Sequence, residues 1–243
     1  MIDLYFAPTP NGWKVAIMLE EAGLTYRPIL MRLSEGDQFS PEFLQISPNA
    51  KMPAIVDHAP DAAWGDGPVT VFESGAILLY LADKTGQFAP PKSDLLGRKE
   101  LMEWLFWQVG NQGPMGGQLS HFRNYAPEAE RDYGFTRYLG EYDRNLGVLE
   151  NRLEERDYLL GDYSIADMLA FPWAFIAKPL GASLETFPYV ADWRARIKER
   201  PAVQRAIDLH KSQQNKGRHR ADNNTVLFNQ SAASLRPDAK TGE

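Results

Sequence analysis

The chain has 243 residues, 44 % of them apolar and 24 % charged, and a net charge of 26 − 32 = −6, enough for one large domain or two small ones. An acidic chain without basic runs argues against nucleic acid as the main partner. The longest apolar run, Ala76 to Ala82, is far too short to span a bilayer, and the start carries Asp3 rather than a basic-then-apolar leader, so the expected location is the cytoplasm. Cysteine is absent. That excludes structural disulfides and thiolate metal sites, and any thiol chemistry must take its sulfur from a small molecule.

Ile2–Phe6 reads as a strand, with Leu4 and Phe6 on one face and Asp3 and Tyr5 on the other. Residues 12–23 read as a helix, because Val15, Met18, Leu19 and Ala22 share a face and Gly23 is a natural stop. Tyr26–Leu33 is a second strand candidate. A polar turn, Ser34 to Asp37, precedes a short helix over residues 40–44 with a proline at its first position. Residues 47–53 are loop; Ala54–Asp57 and Val69–Phe72 are short strands around an Asp-, Gly- and Pro-rich turn. Glu73-Ser74 then opens an apolar helix that ends at Gly86. The order βαβαββα implies an α/β layer with a mixed sheet, a parallel first pair and an antiparallel last pair.

Phe88 to Ser93 is a linker by composition, and strand signals then disappear. Asp94 caps a long helix that holds Leu101, Trp104, Leu105 and Gln108 and reaches Gly110, where the run Gly110 to Gly117 is expected to bend or break it. A polar segment precedes a helix from about Glu128 to Arg156, with Leu139, Tyr142, Leu146 and Leu149 on one face. Ser164-Ile165-Ala166-Asp167 is a capping pattern. Further helices run to about Ala177, from Phe187 to Arg200 and over residues 202–212. The expected domains are 1–87 (α/β), 93–212 (all-helical) and 213–243, a polar tail with only Val226-Leu227-Phe228 apolar, either flexible or an arm laid on a surface.

The chemistry concentrates at Phe6-Ala7-Pro8-Thr9-Pro10-Asn11-Gly12, where a strand hands over to a helix. Such a corner aims backbone N–H groups and side chains at one point, which suits an anion or a polarised atom. Position alone leaves Thr9 and Asn11 with two roles, polar donors to a ligand or plain caps of the first helix. Ser74 at a helix start suits a carboxylate, and Glu73 an ammonium, although serine caps helices in any case. His58, His121, His210 and His219 have no ligand spacing, so no metal is expected. No nucleophile elbow, phosphate loop or dinucleotide glycine pattern is present. Glu20-Glu21 and Glu154-Glu155 read as solvated helix faces, and Trp104, Phe106 and Trp107 as core packing.

An α/β layer, a Pro-rich linker and an all-helical domain resemble the glutathione transferases, whose N-terminal domain is thioredoxin-like. Met52-Pro53 resembles the loop whose proline is cis in that family, Glu73-Ser74-Gly75-Ala76-Ile77 its helix start for the γ-glutamyl group, and Tyr163 to Asp167 its helix cap. The resemblance covers about residues 2–210. Ala7 to Gly12, Gly36-Asp37-Gln38-Phe39, Ser47 to Pro53 and Trp104 to Gln108 are similar to the Nu class of bacterial enzymes and to fungal nitrogen-regulator proteins. The resemblance implies a homodimer that binds glutathione, often two molecules per site. It reduces small or protein disulfides, with peroxidase or weak conjugating activity beside that. A conjugating transferase and a non-enzymatic regulator are the alternatives. Thr9 and Asn11 then hold the glutathione sulfur. Lowering a thiol pKa of about 8.5 by two units takes roughly 2.7 kcal/mol, within reach of a hydroxyl, an amide and a helix N-terminus together. Backbone groups of Met52 pair with the cysteinyl part, and Glu73 and Ser74 take the γ-glutamyl end. Gln38 and Lys51 hold the glycyl carboxylate or are solvated. Arg137 reaches the site from the helical domain or a partner subunit, or is a surface arginine.

Overall fold

The computed structural model describes residues 1–211, 224–228 and 230–235. Much of the expected tail therefore lies outside the described residues. Packing divides the chain into two compact units, Met1–Lys84 with the described residues from Arg205 onward, and Thr85–Gln204.

The first unit is a thioredoxin-like layer. Strands β1 (Ile2–Phe6), β2 (Tyr26–Leu30), β3 (Ala54–Asp57) and β4 (Val69–Phe72) form one mixed sheet in the order β2-β1-β3-β4. β1 and β2 are parallel, as one intervening helix requires, and β3 runs antiparallel to both β1 and β4. Helices α1 (Pro10–Glu21), α2 (Pro41–Ile46) and α3 (Ser74–Thr85) complete it. Leu4, Phe6, Val15, Ile17, Ile55, Ile77, Leu78 and Leu81 are fully buried and form its core.

Two boundaries and one side chain differ here from the sequence reading. α1 starts two residues before the expected Gly12, because Pro10 takes the first helical position, where its missing N–H is no loss. β2 stops at Leu30, and Arg32 closes the next turn on Asp37 through its backbone and guanidinium, at 2.8 and 3.0 Å. Glu20 is no merely solvated carboxylate: it accepts from the Tyr26 hydroxyl and from Arg205 Nε, both at 2.7 Å. The Arg205 bond and a ring contact between Phe6 and His210 at 5.9 Å hold the returning chain to this unit. Asn224–Phe228 (named α11 below) packs on the turn at Leu33–Glu35.

The second unit is all-helical. Leu95–Trp107 (α4) passes through one π-type turn, Gln108–Gln112, into Gly113–Asn124 (α5). Glu128–Leu153 (α6), Ile165–Phe175 (α7), Ala177–Leu180 (α8), Pro188–Lys198 (α9) and Pro201–Asp208 (α10) follow, the last crossing the boundary between units. The glycine run thus bends the helix without breaking it, and the expected polar segment is mostly α5. The glycines serve packing: a Cβ on Gly116 would lie 2.6 Å from the Trp173 ring. Gln112 Nε2 donates to the Ala170 carbonyl at 3.2 Å and fastens the π turn to α7. Phe106 is 65 % exposed, against the expected core position, because α4 buries the opposite face, Leu101 and Leu105. The capping pattern forms as read: Asp167 accepts from the Ser164 and Leu159 amides, the Ser164 hydroxyl and Trp193 Nε1 at 2.9–3.1 Å. Burial pushes its carboxyl up to about 6 against the pull of those donors.

Asp57, 1 % exposed at the end of β3, fastens the sheet to α3. It accepts from Lys84 Nζ at 2.7 Å, the Tyr80 hydroxyl at 2.8 Å and the Ala59 amide at 3.0 Å. Burial works to raise its carboxyl, but these donors outweigh it and hold the group below its ordinary value. A depressed carboxyl contributes stability above the unfolded pKa of about 3.9, lost as pH falls through the folded value. Asp57→Asn should lower unfolding free energy by about 2–4 kcal/mol at pH 7 and by much less at pH 3, as read by urea denaturation at both.

Candidate active site

The sheet register builds the site. Tyr5 at the end of β1 pairs with Ala54 at the start of β3, which pairs with Phe72 at the end of β4. In the parallel pair, Phe6 stands opposite Leu30. One row across the sheet therefore emits four connections from the same end: Ala7–Thr9, Met31–Ser40, Lys51–Pro53 and Glu73. Adjacent strands are about 4.8 Å apart, so the row from β1 to β4 is about 10 Å wide, the length of an extended tripeptide. α1 and α3 both begin at this end, each following a strand that finishes there, and bring two helix N-termini with their partial positive charge.

Thr9 is the N-cap of α1, its Oγ1 accepting from the Gly12 amide at 3.4 Å. The same hydroxyl is 3.4 Å from the Ala7 carbonyl and 4.0 Å from Met52 Sδ. The two contacts in which the hydroxyl donates sit at the outer limit of hydrogen bonding, so a stronger acceptor can claim its proton. Capping and ligand donation are compatible in this residue. Asn11 is half-buried at the second position of the helix, one residue beyond Pro10. Gly12 is required sterically, since a Cβ there would lie 2.1 Å from the Ala7 carbonyl oxygen.

The Met52–Pro53 bond is cis. Ladder pairing begins at Ala54, so the main chain of half-buried Met52 lies at the open end of the sheet. The Ser47 hydroxyl donates to the Lys51 carbonyl at 2.8 Å and shapes that loop. Across the row, Glu73 has φ +69°, a left-handed conformation that non-glycine residues seldom adopt, and its side chain is exposed. Ser74 is the first residue of α3 rather than its cap, and is 7 % exposed.

The remaining candidates divide. Gln38 is buried rather than solvated; its Nε2 donates to the Leu33 carbonyl at 3.1 Å and its Oε1 meets no hydrogen-bond partner among the described residues. Lys51 is exposed. Arg137 lies on α6 in the other unit, exposed and paired with Glu141 at 2.7 Å. Among the described residues no group of three or more His, Asp or Glu side chains is arranged to hold a metal.

One residue escaped the sequence reading. Lys14 is 2 % exposed, and its Nζ donates to Ser74 Oγ at 3.4 Å. The signal was present: position 14 is one helical turn before Met18, on the apolar stripe, where a lysine is out of place. Burial pulls its ammonium down to about 7, and the Glu73 carboxylate works to raise it.

Two outcomes are expected. Gly12→Ala should destabilise the fold by about 1–3 kcal/mol through overpacking at the corner, read as a shift in urea midpoint at constant slope. The unfolded chain holds the Lys14 proton to about pH 10.4, so between pH 7 and 9 it binds more protons than the folded chain and stability rises with pH. Lys14→Met should remove a rise of about 2 kcal/mol over that window, measured by urea unfolding at both ends.

Residues 2–83 match the glutathione S-transferase N-terminal domain, and residues 125–201 the glutathione S-transferase C-terminal domain. The disulfide-bond oxidoreductase YfcG of Escherichia coli K12 is 50 % identical over 208 residues, an alignment covering 85 % of this chain and 94 % of YfcG. A glutathione transferase of Burkholderia graminis, crystallised with two glutathione molecules per subunit, is 47 % identical with a TM-score of 0.78, over 86 % of this chain and 88 % of that one. Another from Pseudomonas putida, with one glutathione disulfide per subunit, is 40 % identical with a TM-score of 0.78, over 86 % and 91 % of the two chains. A β2-β1-β3-β4 sheet followed by a helical unit, with half the aligned residues shared with YfcG, places the chain in the glutathione S-transferase family.

Proposed function

We propose that this protein is a glutathione-dependent disulfide reductase. The observation that carries the reading is the strand row, which gathers Thr9 and Asn11, Met52, and Glu73 with Ser74 at one end of the sheet, beside two helix N-termini. These groups suit the successive parts of glutathione: thiol, cysteinyl main chain, and the ammonium and carboxylate of the γ-glutamyl end. The chain supplies no cysteine of its own. YfcG carries the name of a disulfide-bond oxidoreductase, and two relatives hold two glutathione molecules or glutathione disulfide, the thiol and oxidised forms such an exchange needs.

In the proposed reaction, Thr9 and Asn11 donate to the glutathione sulfur and favour its thiolate. That sulfur attacks one sulfur of the substrate disulfide, forming a mixed disulfide and releasing one substrate thiolate. A second glutathione thiolate attacks the glutathione sulfur of the mixed disulfide, giving glutathione disulfide and the other substrate thiolate. Two protons from two glutathiones end on the two product thiols, and two electrons pass from glutathione to the substrate. Gln38 and Lys51 serve the glycyl end in this reading, and Arg137 approaches in a homodimeric, cytoplasmic enzyme.

Thr9→Ala and Asn11→Ala should each lower kcat/KM for reduction of a small disulfide by about tenfold to a hundredfold. Thr9→Ala also removes a cap worth about 1 kcal/mol, and Thr9→Ser keeps both roles and should stay near the parent. A coupled assay of glutathione disulfide formation reads the result, with an aryl halide run in parallel. Unchanged turnover in both alanine variants removes the assignment, and faster conjugation than reduction replaces the reaction.

A further inference from the structure

With no cysteine, the chain's own sulfur is confined to seven methionines. Met18, Met31 and Met168 are buried, whereas Met52, Met102 and Met115 are half-buried and open to a small oxidant. Of these three, Met52 belongs to the strand row. Its side chain packs against the apolar cluster of Met31, Phe43 and Ala54. Its sulfur stands 4.0 Å from Thr9 Oγ1, which donates to it. A thioether is a weak acceptor and holds that proton loosely. A hydroperoxide changes the sulfur in one step. The sulfur lone pair attacks the peroxide oxygen that carries the proton. The S–O bond forms as the O–O bond breaks, and the proton passes to the departing oxygen. The products are methionine sulfoxide and water or an alcohol; the sulfur loses two electrons and the peroxide gains them. An oxygen directed from the sulfur into the 4.0 Å gap comes within hydrogen-bond reach of the Thr9 hydroxyl. It carries partial negative charge, which the nearby start of α1 favours. The Thr9 proton then has an oxygen acceptor in place of a thioether.

We propose that Met52 is a reversible oxidation site through which hydroperoxides turn down the thiol chemistry of this corner: its sulfoxide oxygen takes the Thr9 hydroxyl that otherwise donates to the glutathione sulfur. This rests on the glutathione reading above and adds regulation to it. Reduction of the sulfoxide by the methionine sulfoxide reductases, one for each epimer at sulfur, returns the thioether and frees the hydroxyl.

The test treats the full chain with hydrogen peroxide and reads the oxidation of each methionine by peptide mass. Ultraviolet difference absorbance gives the thiolate fraction of bound glutathione, and both readings are repeated after the two reductases have acted. In the parent, kcat/KM for a small disulfide should fall about tenfold at full conversion of Met52. The thiolate fraction at neutral pH should fall with it, and both should return on reduction. Met52→Leu should keep its own starting rate and thiolate fraction through the same treatment. Met52→Gln, which carries a fixed oxygen acceptor, should resemble the oxidised parent without any peroxide. Thr9→Val has no hydroxyl to capture, so converting Met52 in that variant should change the thiolate fraction by less than twofold. Full conversion of Met52 with an unchanged thiolate fraction would overturn the proposal. So would oxidation of Met102 and Met115 with Met52 spared, or an equal loss in Met52→Leu or Thr9→Val. Thermal melts accompany each sample, and Met52→Gln decides the matter if the treated parent unfolds. The absorbance reading does not depend on turnover. A parent that binds glutathione but reduces no disulfide sinks the reductase assignment and leaves Met52 judged by its thiolate fraction; a parent that binds no glutathione overturns both.

Discussion

Strand β3 runs against both of its neighbours, and the site depends on that inversion. Because it is antiparallel to β1 and β4, its first residue lies beside their last ones, Tyr5–Ala54–Phe72. Period two in the side chains fixes this register, since a slip of one residue would turn the buried Ala54, Ile55 and Val56 toward the wrong partners. The connections that leave the row have no freedom to diverge. Each emerges within one strand spacing of the next, and the two helices that follow start there with their positive ends.

The first unit places charge inside its layer, at Asp57, Asp3 and Lys14. Asp57 meets an ammonium, a phenol and an amide. Asp3, 3 % exposed, meets Arg27 in a two-point ion pair at 2.6 and 2.8 Å and His58 at 2.9 Å. Arg27 outweighs burial at Asp3 and holds its carboxyl below the ordinary range. Both acids sit away from the open row, Asp57 at the far end of β3, and both are stabilised as ions. Lys14 is at the open end, and there burial dominates and shifts the group toward its neutral form. At Asp57 and Asp3 the partners together outweigh burial; at Lys14, which donates to Ser74 Oγ and feels the Glu73 carboxylate, burial outweighs them.

The order of elements was legible because apolar periodicity changes cleanly from two to about 3.6 along the chain. Thr9, Asn11, Met52, Glu73 and Ser74 were legible as local motifs, and the register explains why they share one end of the sheet. What escaped depends on contacts far apart in sequence. Gly113 and Gly116 read as breakers until Trp173 is seen against α5. Phe106 read as core because aromatic residues usually are, yet α4 is covered on only one side within its unit. Glu20 read as solvent-facing, and its partner Arg205 is 185 residues away. Lys14 shows the opposite failure. Its place on an apolar stripe was visible, and only the α3 start gives that place a meaning.

Magnitudes bear on how far the corner could act by itself. Making a glutathione thiolate the major form at neutral pH takes roughly 2.7 kcal/mol, and a single helix terminus supplies about 0.3–1 kcal/mol, up to 2 when partly buried. One charge-assisted donor at about 1.5–3 kcal/mol added to it spans the mark, and two pass it throughout the range, so the proposed reaction uses Thr9 and Asn11 together. A dispersed arrangement has a further consequence. In the proposed reaction glutathione is positioned before its sulfur meets those donors, with its γ-glutamyl end across a row about 10 Å wide. In that proposed reading the thiol and the γ-glutamyl end are served from the starts of α1 and α3, the two helices that begin at this end of the sheet.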